Sequence, residues 1–225
     1  MTQETFSLIE NYMDSSMADS AHDKEHVYRV LYNALEIARY EAGVDYDILI
    51  TACLLHDIGR KEQFENPALC HAAVGCEKAR IFLTEQGFAQ DFIEQVCHCI
   101  LSHRFRKAAP PQTTEARILF DADKLDVTGA IGIARTLLYQ GKLECPLYTL
   151  TADGTVSDGR CEISESFFQE YKFKLEKLYD KFLTKTGARL AQERQAAAKS
   201  FYENLYREIA VGYQNGPDFL HSFLD

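Results

Sequence analysis

The strongest constraint in this sequence is a His-Asp pair at the end of an apolar run. Residues 49–55 are mostly apolar, and His56 and Asp57 follow them directly. Asp45 is suited to cap a helix over this run, because its carboxylate can accept backbone N–H bonds. Such a helix belongs in a protein core, where unpartnered titratable groups cost free energy. The pair therefore needs a partner. One alternative is a divalent metal, for which both groups are good ligands. The other is that the two side chains bind each other, with the carboxylate orienting the ring.

Apolar residues recur at helical spacing along most of the chain. Residues 60–70 and 141–164 lack this periodicity and are predicted as loops, the second with a short hairpin around Asp153-Gly154. The pattern therefore predicts an all-α protein. Its helices are predicted at 5–14, from Asp19 or Ser20 to about Tyr40, from Asp45 to the His56-Asp57 pair, at 71–84 and 89–102, from Thr113 or Thr114 through Ile133, at 166–186 and at 188–213.

Two other predicted helices carry side chains of the same ligand types. His26 lies near the start of the helix that ends about Tyr40, beside its apolar stripe, and is either a ligand or a surface or capping histidine. The nearby His22-Asp23 pair falls in the first turn, where a carboxylate complements the helix dipole, and is interpreted as structural. Spacing alone does not choose among three carboxylates of the later helix, Asp121, Asp123 and Asp126.

The order of these motifs resembles that of the HD-domain metal-dependent phosphohydrolases. It reads His26, then His56-Asp57, then Asp123, each on its own predicted helix. More narrowly, the chain is similar to a bacterial branch that carries Asp-Ala-Asp-Lys-Leu-Asp, here 121–126, followed by Gly-Ala-Ile-Gly-Ile-Ala-Arg, here 129–135, and a helical tail. The resemblance covers roughly residues 20–210.

The resemblance implies an HD-domain helical bundle. We expect one domain over residues 1–225, which is long enough to bury a sizeable core at 46% hydrophobic residues. Its core is expected at about 20–140 and its C-terminal helical extension at about 165–213. A long loop insert is expected near 141–164. The C-terminal helices either cover the core or make a homodimer contact.

The same resemblance implies a metal site with four ligands: His26, His56, Asp57 and Asp123. Mixed nitrogen and oxygen ligands suit Mn, Fe, Ni, Co or Zn better than Mg or Ca. Coordination positions left open in such a set indicate catalysis rather than a structural site. Asp126 is the candidate for activating water, with Glu62 next, although the general acid and base stay open. Asp121 is expected to be solvated.

Basic residues near the pair are the candidates for holding phosphate oxygens. Arg60, Lys61 and Lys124 are assigned this role, since a guanidinium can grip two oxygens at once. Arg60 departs from the HD nucleotidase and stringent-response hydrolase branches, where an acidic residue tends to follow His-Asp, so their proton-transfer scheme is in doubt here. A basic run after the helix at 89–102 is either a solvated helix end or an anion site; it comprises Arg104, Arg106 and Lys107.

His71 and His103 leave the number of metal ions open. We expect one ion, with both imidazoles lining the substrate pocket, and keep a second ion as the alternative because bimetallic HD members use further histidines after the His-Asp pair. The doubled histidine of the cyclic-dinucleotide phosphodiesterase branch is absent, since Arg104 follows His103. That absence puts cyclic-dinucleotide hydrolysis in doubt.

Charge and composition narrow the possible partners. A net charge of −10 argues against broad binding to nucleic acid or anionic membranes. No apolar run approaches the roughly 20 residues that span a bilayer, and the first residues lack a signal peptide pattern, so a cytoplasmic protein is expected. Seven cysteines without a C-x-x-C pair argue against a disulfide framework.

These expectations combine into a metal-dependent phosphohydrolase. Its substrate is expected to be a small phosphorylated metabolite, in particular a nucleotide, cleaved at a phosphoester or phosphoanhydride by metal-activated water. The first alternative is a two-metal phosphodiesterase, which requires His71 and His103 as ligands. The second is a non-catalytic HD module that senses a nucleotide or a metal.

Overall fold

The structure confirms the all-α prediction. It is a computed structural model that describes residues 1–17, 24–104, 110–160 and 165–224. Within these residues the one β-type pairing is an antiparallel bridge between Leu150 and Val156, which flank the predicted hairpin turn. The helices are α1 (Gln3–Met17), α2 (Lys24–Ala38), α3 (Tyr46–Leu55), α4 (Arg60–Glu65), α5 (His71–Glu85), α6 (Gln90–Ser102), α7 (Thr114–Leu125), α8 (Gly129–Lys142), α9 (Phe167–Phe173) and α10 (Lys185–Leu224).

Some sequence signals lie outside the described residues. They are the predicted cap at Asp19 or Ser20, the His22-Asp23 pair, and the basic residues Arg106 and Lys107. The cap of α3 is confirmed, because the Asp45 carboxylate accepts the backbone N–H bonds of Asp47 and Ile48. Thr113 caps α7 by accepting from the Ala116 backbone nitrogen at 3.1 Å.

Several helix boundaries differ from the prediction; α10, for example, runs to Leu224 rather than to about residue 213. Residues 60–65 form α4 rather than loop, since the helix runs directly out of the turn at the His56-Asp57 pair. The helix predicted through Ile133 is interrupted: α7 ends at Leu125, and α8 begins at Gly129, whose φ of 60° favours glycine. The helix predicted at 166–186 ends at Phe173, where α9 gives way to a short 3-10 turn.

The described residues divide into two compact units. The first contains Met1–Asp126 and Leu183–Gly187, and the second contains Val127–Phe182 and Ala188–Asp225. In the second unit, Tyr171 of α9 stacks on Tyr202 of α10 with ring centroids 4.2 Å apart. The single-domain organisation and the homodimer stay predictions. None of the described helices is both long and apolar enough to cross a membrane.

Helix α3 occupies the centre of the first unit. Seven of its ten residues are buried, because its sequence is apolar all round, and it packs against α1, α2, α6 and α7. Helix α2 contributes the stripe that contains Val27, Val30 and Ala34 and packs on α7. Helix α5 packs on α6 beside them. The His56-Asp57 pair is therefore delivered into the core of a five-helix arrangement.

Asp121 anchors a distant segment of the first unit to α7. Its carboxylate accepts hydrogen bonds from the Leu183 nitrogen at 2.9 Å and from the Thr184 nitrogen and hydroxyl at 2.7 Å each. The side chain is fully buried, and burial raises its pKa. The prediction that Asp121 stays solvated is wrong, because its bonding partners lie some sixty residues away in the sequence and leave no local signal.

Gly59 lets two backbones meet beside the His-Asp pair. A Cβ at this position would press on the His71 carbonyl oxygen and lie 2.6 Å from the Gly75 nitrogen. We expect Gly59→Ala to lower the free energy of unfolding by about 1–3 kcal/mol, because neither backbone atom can turn aside. Denaturant unfolding monitored by circular dichroism measures the change.

Gly141→Ala is the matched control for Gly59. Gly141 lies in α8 with no atom within 4 Å of its added Cβ, so this variant should be as stable as the wild type or up to about 1 kcal/mol more stable. A Gly59→Ala protein that unfolds at the wild-type denaturant concentration would contradict the close approach.

Candidate metal centre

Five helices bring the predicted ligands to one place in the first unit. His26 lies in the first turn of α2, His56 and Asp57 directly follow α3, and Asp123 lies in the last turn of α7. His71 begins α5 and His103 follows α6. The four imidazoles and Asp57 are at most 2% exposed, whereas the side chain of Asp123 is 25% exposed. The cluster is therefore buried and meets solvent on the Asp123 side.

Each of the four imidazoles has an acceptor on its Nδ1. His56 Nδ1 donates to the Cys53 carbonyl oxygen at 2.7 Å, and His103 Nδ1 donates to that of Ile100 at 2.6 Å. His26 Nδ1 lies 2.7 Å from Asp126 Oδ2, and His71 Nδ1 lies 2.6 Å from Gln63 Oε1. For His56, His71 and His103, bonds of this kind select the tautomer whose Nε2 carries a lone pair, as in metal-ligating histidines.

The Nε2 atoms point towards one another. His71 Nε2 and His103 Nε2 are 3.2 Å apart, and His56 Nε2 and His26 Nε2 are 3.4 Å apart. Burial lowers the pKa of His71 to about 2 and that of His103 to about 4, so both rings are neutral at physiological pH. Their facing lone pairs have no proton to share, since each ring already donates from Nδ1. A cation between them satisfies both.

Asp57 lies between the two histidine pairs. Its Oδ2 is 3.5 Å from His26 Nε2, and its Oδ1 is 3.4 Å from His71 Nε2 and 3.7 Å from His103 Nε2. Both oxygens are buried without a hydrogen bond, although Arg60 Nε is within ion-pair distance of Oδ1 at 2.9 Å. A buried carboxylate with two open oxygens, surrounded by imidazole nitrogens, fits divalent metal binding.

Two groups of side chains have the geometry to hold an ion. The first combines His26, His56 and Asp123, and the second combines Asp57, His71 and His103, with all ligand atoms of each group within 4.8 Å of one another.

Burial opposes charge on His26, but its hydrogen bonds with Asp123, Asp126 and Asp57 outweigh burial and raise its pKa to about 10. The three carboxylates around His26 thus favour a positive charge at the position of its ring.

Asp126 supports His26 instead of facing the cluster interior. Its Oδ2 accepts from His26 Nδ1, and its Oδ1 accepts from Arg29 Nε at 2.8 Å. Arg29 Nη2 adds a bond at 3.2 Å, and Asp126 is 1% exposed. A carboxylate whose two oxygens are both engaged is poorly placed to take a proton from water. Its surroundings are those of a residue that orients a ligand.

The basic candidates differ in their placement. Arg60 has its Nε beside Asp57 and is 24% exposed. Lys61 is half-buried in the first turn of α4. Lys124 holds its Nζ over the Phe120 ring, 4.2 Å from the centroid. The reserve candidate for proton transfer, Glu62, pairs with Lys78 at 2.9 Å. Of the three predicted phosphate binders, Arg60 contacts the cluster through Asp57 Oδ1.

Two residues of the site went unrecognised in the sequence. Arg29 lies three residues after His26 and therefore on the same face of α2, a spacing that could have indicated a shared partner. Gln63 lies in a stretch predicted as loop, and its contact with His71 depends on the packing of α4 against α5. No local signal could have found it.

The chain is similar in sequence and fold to known proteins. The family profile of the HD domain matches residues 24–128. The uncharacterized protein YpgQ of Bacillus subtilis is 30% identical over 207 residues, which is 89% of this chain and 92% of YpgQ. The structure of YpgQ in complex with ADP superposes with a TM-score of 0.70 at 27% identity, covering 91% of this chain and 97% of YpgQ. An HD-superfamily hydrolase from Bacillus thuringiensis superposes with a TM-score of 0.70 at 26% identity, covering 92% and 97% of the two chains.

Proposed function

Because the chain belongs to the HD-domain superfamily of metal-dependent hydrolases, we propose that it hydrolyses a phosphoester or phosphoanhydride bond of a nucleotide. The observation that carries this proposal is the convergence of four imidazole Nε2 atoms on the two open oxygens of Asp57. The ADP bound to the similar YpgQ structure supports a nucleotide over other phosphorylated metabolites.

We assign His26, His56, Asp57 and Asp123 as the ligands of the metal ion. A bound divalent ion lowers the pKa of water from about 15.7 towards about 7 and stabilises charge on phosphate oxygens. The protein holds the ligand atoms in place through the Nδ1 bonds of the two histidines to Asp126 and to the Cys53 carbonyl. The ligand set suits Mn, Fe, Ni, Co or Zn.

The residues around the ligands prepare the site for a phosphate. Arg60 places a guanidinium at the edge of the buried cluster, where it can hold two phosphate oxygens while screening Asp57. The partial exposure of Asp123 leaves one side of the site open to substrate. Asp126, which holds His26 and Arg29, serves as a positioning residue in this proposal. Lys61 and Lys124 stay predicted substrate contacts.

The second candidate function is a two-metal phosphodiesterase. It is favoured by the 3.2 Å separation of the His71 and His103 Nε2 atoms, both of which face Asp57 Oδ1. In that case Asp57 would hold one ion together with His71 and His103 and would also serve the other, and a pair of ions would stabilise charge on the attacking and the leaving oxygen. The lining role assigned to His71 and His103 from the sequence would then become a ligand role.

The first experiment is the metal content of protein purified without chelator. It is followed by assays of the Mn-loaded protein against nucleoside mono-, di- and triphosphates and a generic phosphodiester. We expect about one metal equivalent with nucleotide turnover. Two equivalents with diester cleavage would favour the two-metal function. Metal binding without turnover of any substrate would leave a sensing module, and no metal under any loading condition would remove the basis of the proposal.

A further inference from the structure

Arg104 is a basic residue beside the cluster, which the sequence left between a solvated helix end and an anion site. It directly follows His103 at the end of α6 and is half-buried. Its one described hydrogen bond is a long contact, 3.9 Å from Nη1 to the Sγ of Cys70, which is the residue before His71. Arg104 therefore reaches from the end of α6 to the start of α5, across the side of the cluster formed by His71 and His103.

Within the described part of the chain, the charge of Arg104 is not neutralised by a carboxylate. Among the residues that the structure describes, no carboxylate pairs with it, whereas Arg29 pairs with Asp126 and Arg60 lies against Asp57. A half-buried guanidinium costs desolvation free energy that a thiol contact does not recover. Such a group is suited to an anionic ligand.

Arg60 and Arg104 approach the same imidazole from two helices. Arg60 Nε lies 2.9 Å from Asp57 Oδ1, the oxygen that is 3.4 Å from His71 Nε2, and Arg104 Nη1 contacts Cys70, the residue before His71. Both guanidiniums therefore act on the His71 side. Two guanidiniums are consequently placed on the side of the site formed by His71 and His103.

We propose that Arg104 acts with Arg60 to bind a phosphoryl group of the substrate on the side of the site formed by His71 and His103. A phosphoryl group presents several anionic oxygens, and two guanidiniums from different helices can bind it from two directions. This role rests on the proposed phosphohydrolase function and assigns the orientation of its substrate. Arg104 is here a substrate-binding residue that leaves the metal ligands unchanged.

The test measures inorganic pyrophosphate binding by calorimetry, using Mn-loaded protein freed of excess metal. We expect Arg104→Ala to weaken binding about tenfold or more, which is the size of one lost charge-assisted hydrogen bond. Arg104→Lys should recover part of the loss, because lysine keeps the charge but lacks the bidentate fork. Metal content and melting temperature should equal those of the wild type in both variants.

Arg39→Ala is the matched control, since it also removes one positive charge. Arg39 is exposed and pairs with Glu36 about 20 Å along the α2 axis from His26. The pyrophosphate affinity of the Arg39→Ala protein should stay within about twofold of the wild-type affinity. If Arg104→Ala bound pyrophosphate as the wild type does, or if it weakened binding only by losing metal, the proposal would be overturned. A wild-type protein that did not bind pyrophosphate would overturn it as well.

Turnover separates this proposal from the proposed function. If wild-type protein hydrolyses no nucleotide but Arg104→Ala still loses pyrophosphate affinity, the phosphoryl site stands and the hydrolase substrate is wrong. If nucleotide is hydrolysed and Arg104→Ala leaves both the pyrophosphate affinity and KM unchanged, the hydrolase stands and the role of Arg104 is wrong.

Discussion

Replacing Asp57 with alanine should abolish metal binding and hydrolysis while the protein stays folded. Asp57 is the carboxylate whose two oxygens face both histidine pairs, so its loss removes the anion that lies between them. We expect kcat/KM to fall by at least about a thousandfold, because water without a bound ion keeps its pKa of about 15.7. Metal analysis, circular dichroism and nucleotide turnover measure the three parts of the prediction.

Asp91→Ala controls for the loss of a carboxylate. Asp91 is exposed in the first turn of α6, the end of the helix opposite to His103. This variant should keep metal and activity. An Asp57→Ala protein that turned over nucleotide at the wild-type rate without metal would refute the proposed chemistry. A variant that unfolds would instead show that Asp57 is needed for folding.

The second large effect is expected for Asp126→Ala. This change leaves His26 Nδ1 without its acceptor and Arg29 without its buried partner. Metal affinity should fall about 10- to 100-fold, as it does when the carboxylate behind a ligating histidine is removed. The free energy of unfolding should fall by roughly 2 kcal/mol, less than for a fully buried pair, because Arg29 is 30% exposed and screened by water. Metal titration and denaturant unfolding give the two values.

Two further variants distinguish positioning from proton transfer. In the double variant Asp126→Ala, Arg29→Ala, part of the lost stability should return, since the guanidinium that loses the Asp126 carboxylate is removed with it. Asp126→Asn keeps the shape of the side chain and should mainly lower metal affinity. If Asp126→Asn lowered kcat strongly, kept full metal affinity and lost one limb of the pH–rate profile, Asp126 would be the catalytic base predicted from the sequence.

The local sequence pattern was sufficient to predict most helices and to identify the family. Apolar periodicity is a property of neighbouring residues, so it located α2, α3, α5 and α6 to within a few residues. Asp45 could be recognised as a cap because an N-cap bonds to nitrogens two and three positions ahead. The interruption between α7 and α8 was missed, since the apolar spacing continues across it and Gly129 marks it only through its φ.

The roles of the three carboxylates in residues 121–126 could not be predicted from the local sequence pattern. From the sequence they are equivalent, spaced two and three residues apart on one helix. In the structure Asp121 binds Leu183 and Thr184, Asp123 faces the histidines, and Asp126 holds His26 and Arg29. Each role is set by a partner that lies about sixty to one hundred residues away, which no spacing rule can specify.

The sequence by itself determined that this chain is a helical HD-family protein. Helix periodicity depends on neighbouring residues, and the order of His26, His56-Asp57 and Asp123 is read directly along the chain. Tertiary structure alone decided that His71 and His103 face the second oxygen of Asp57 and that Arg104 lies beside them. The physical reason is that a metal or phosphate site depends on distances of a few ångströms between side chains on different helices. Those distances arise only when α3, α5 and α6 pack together.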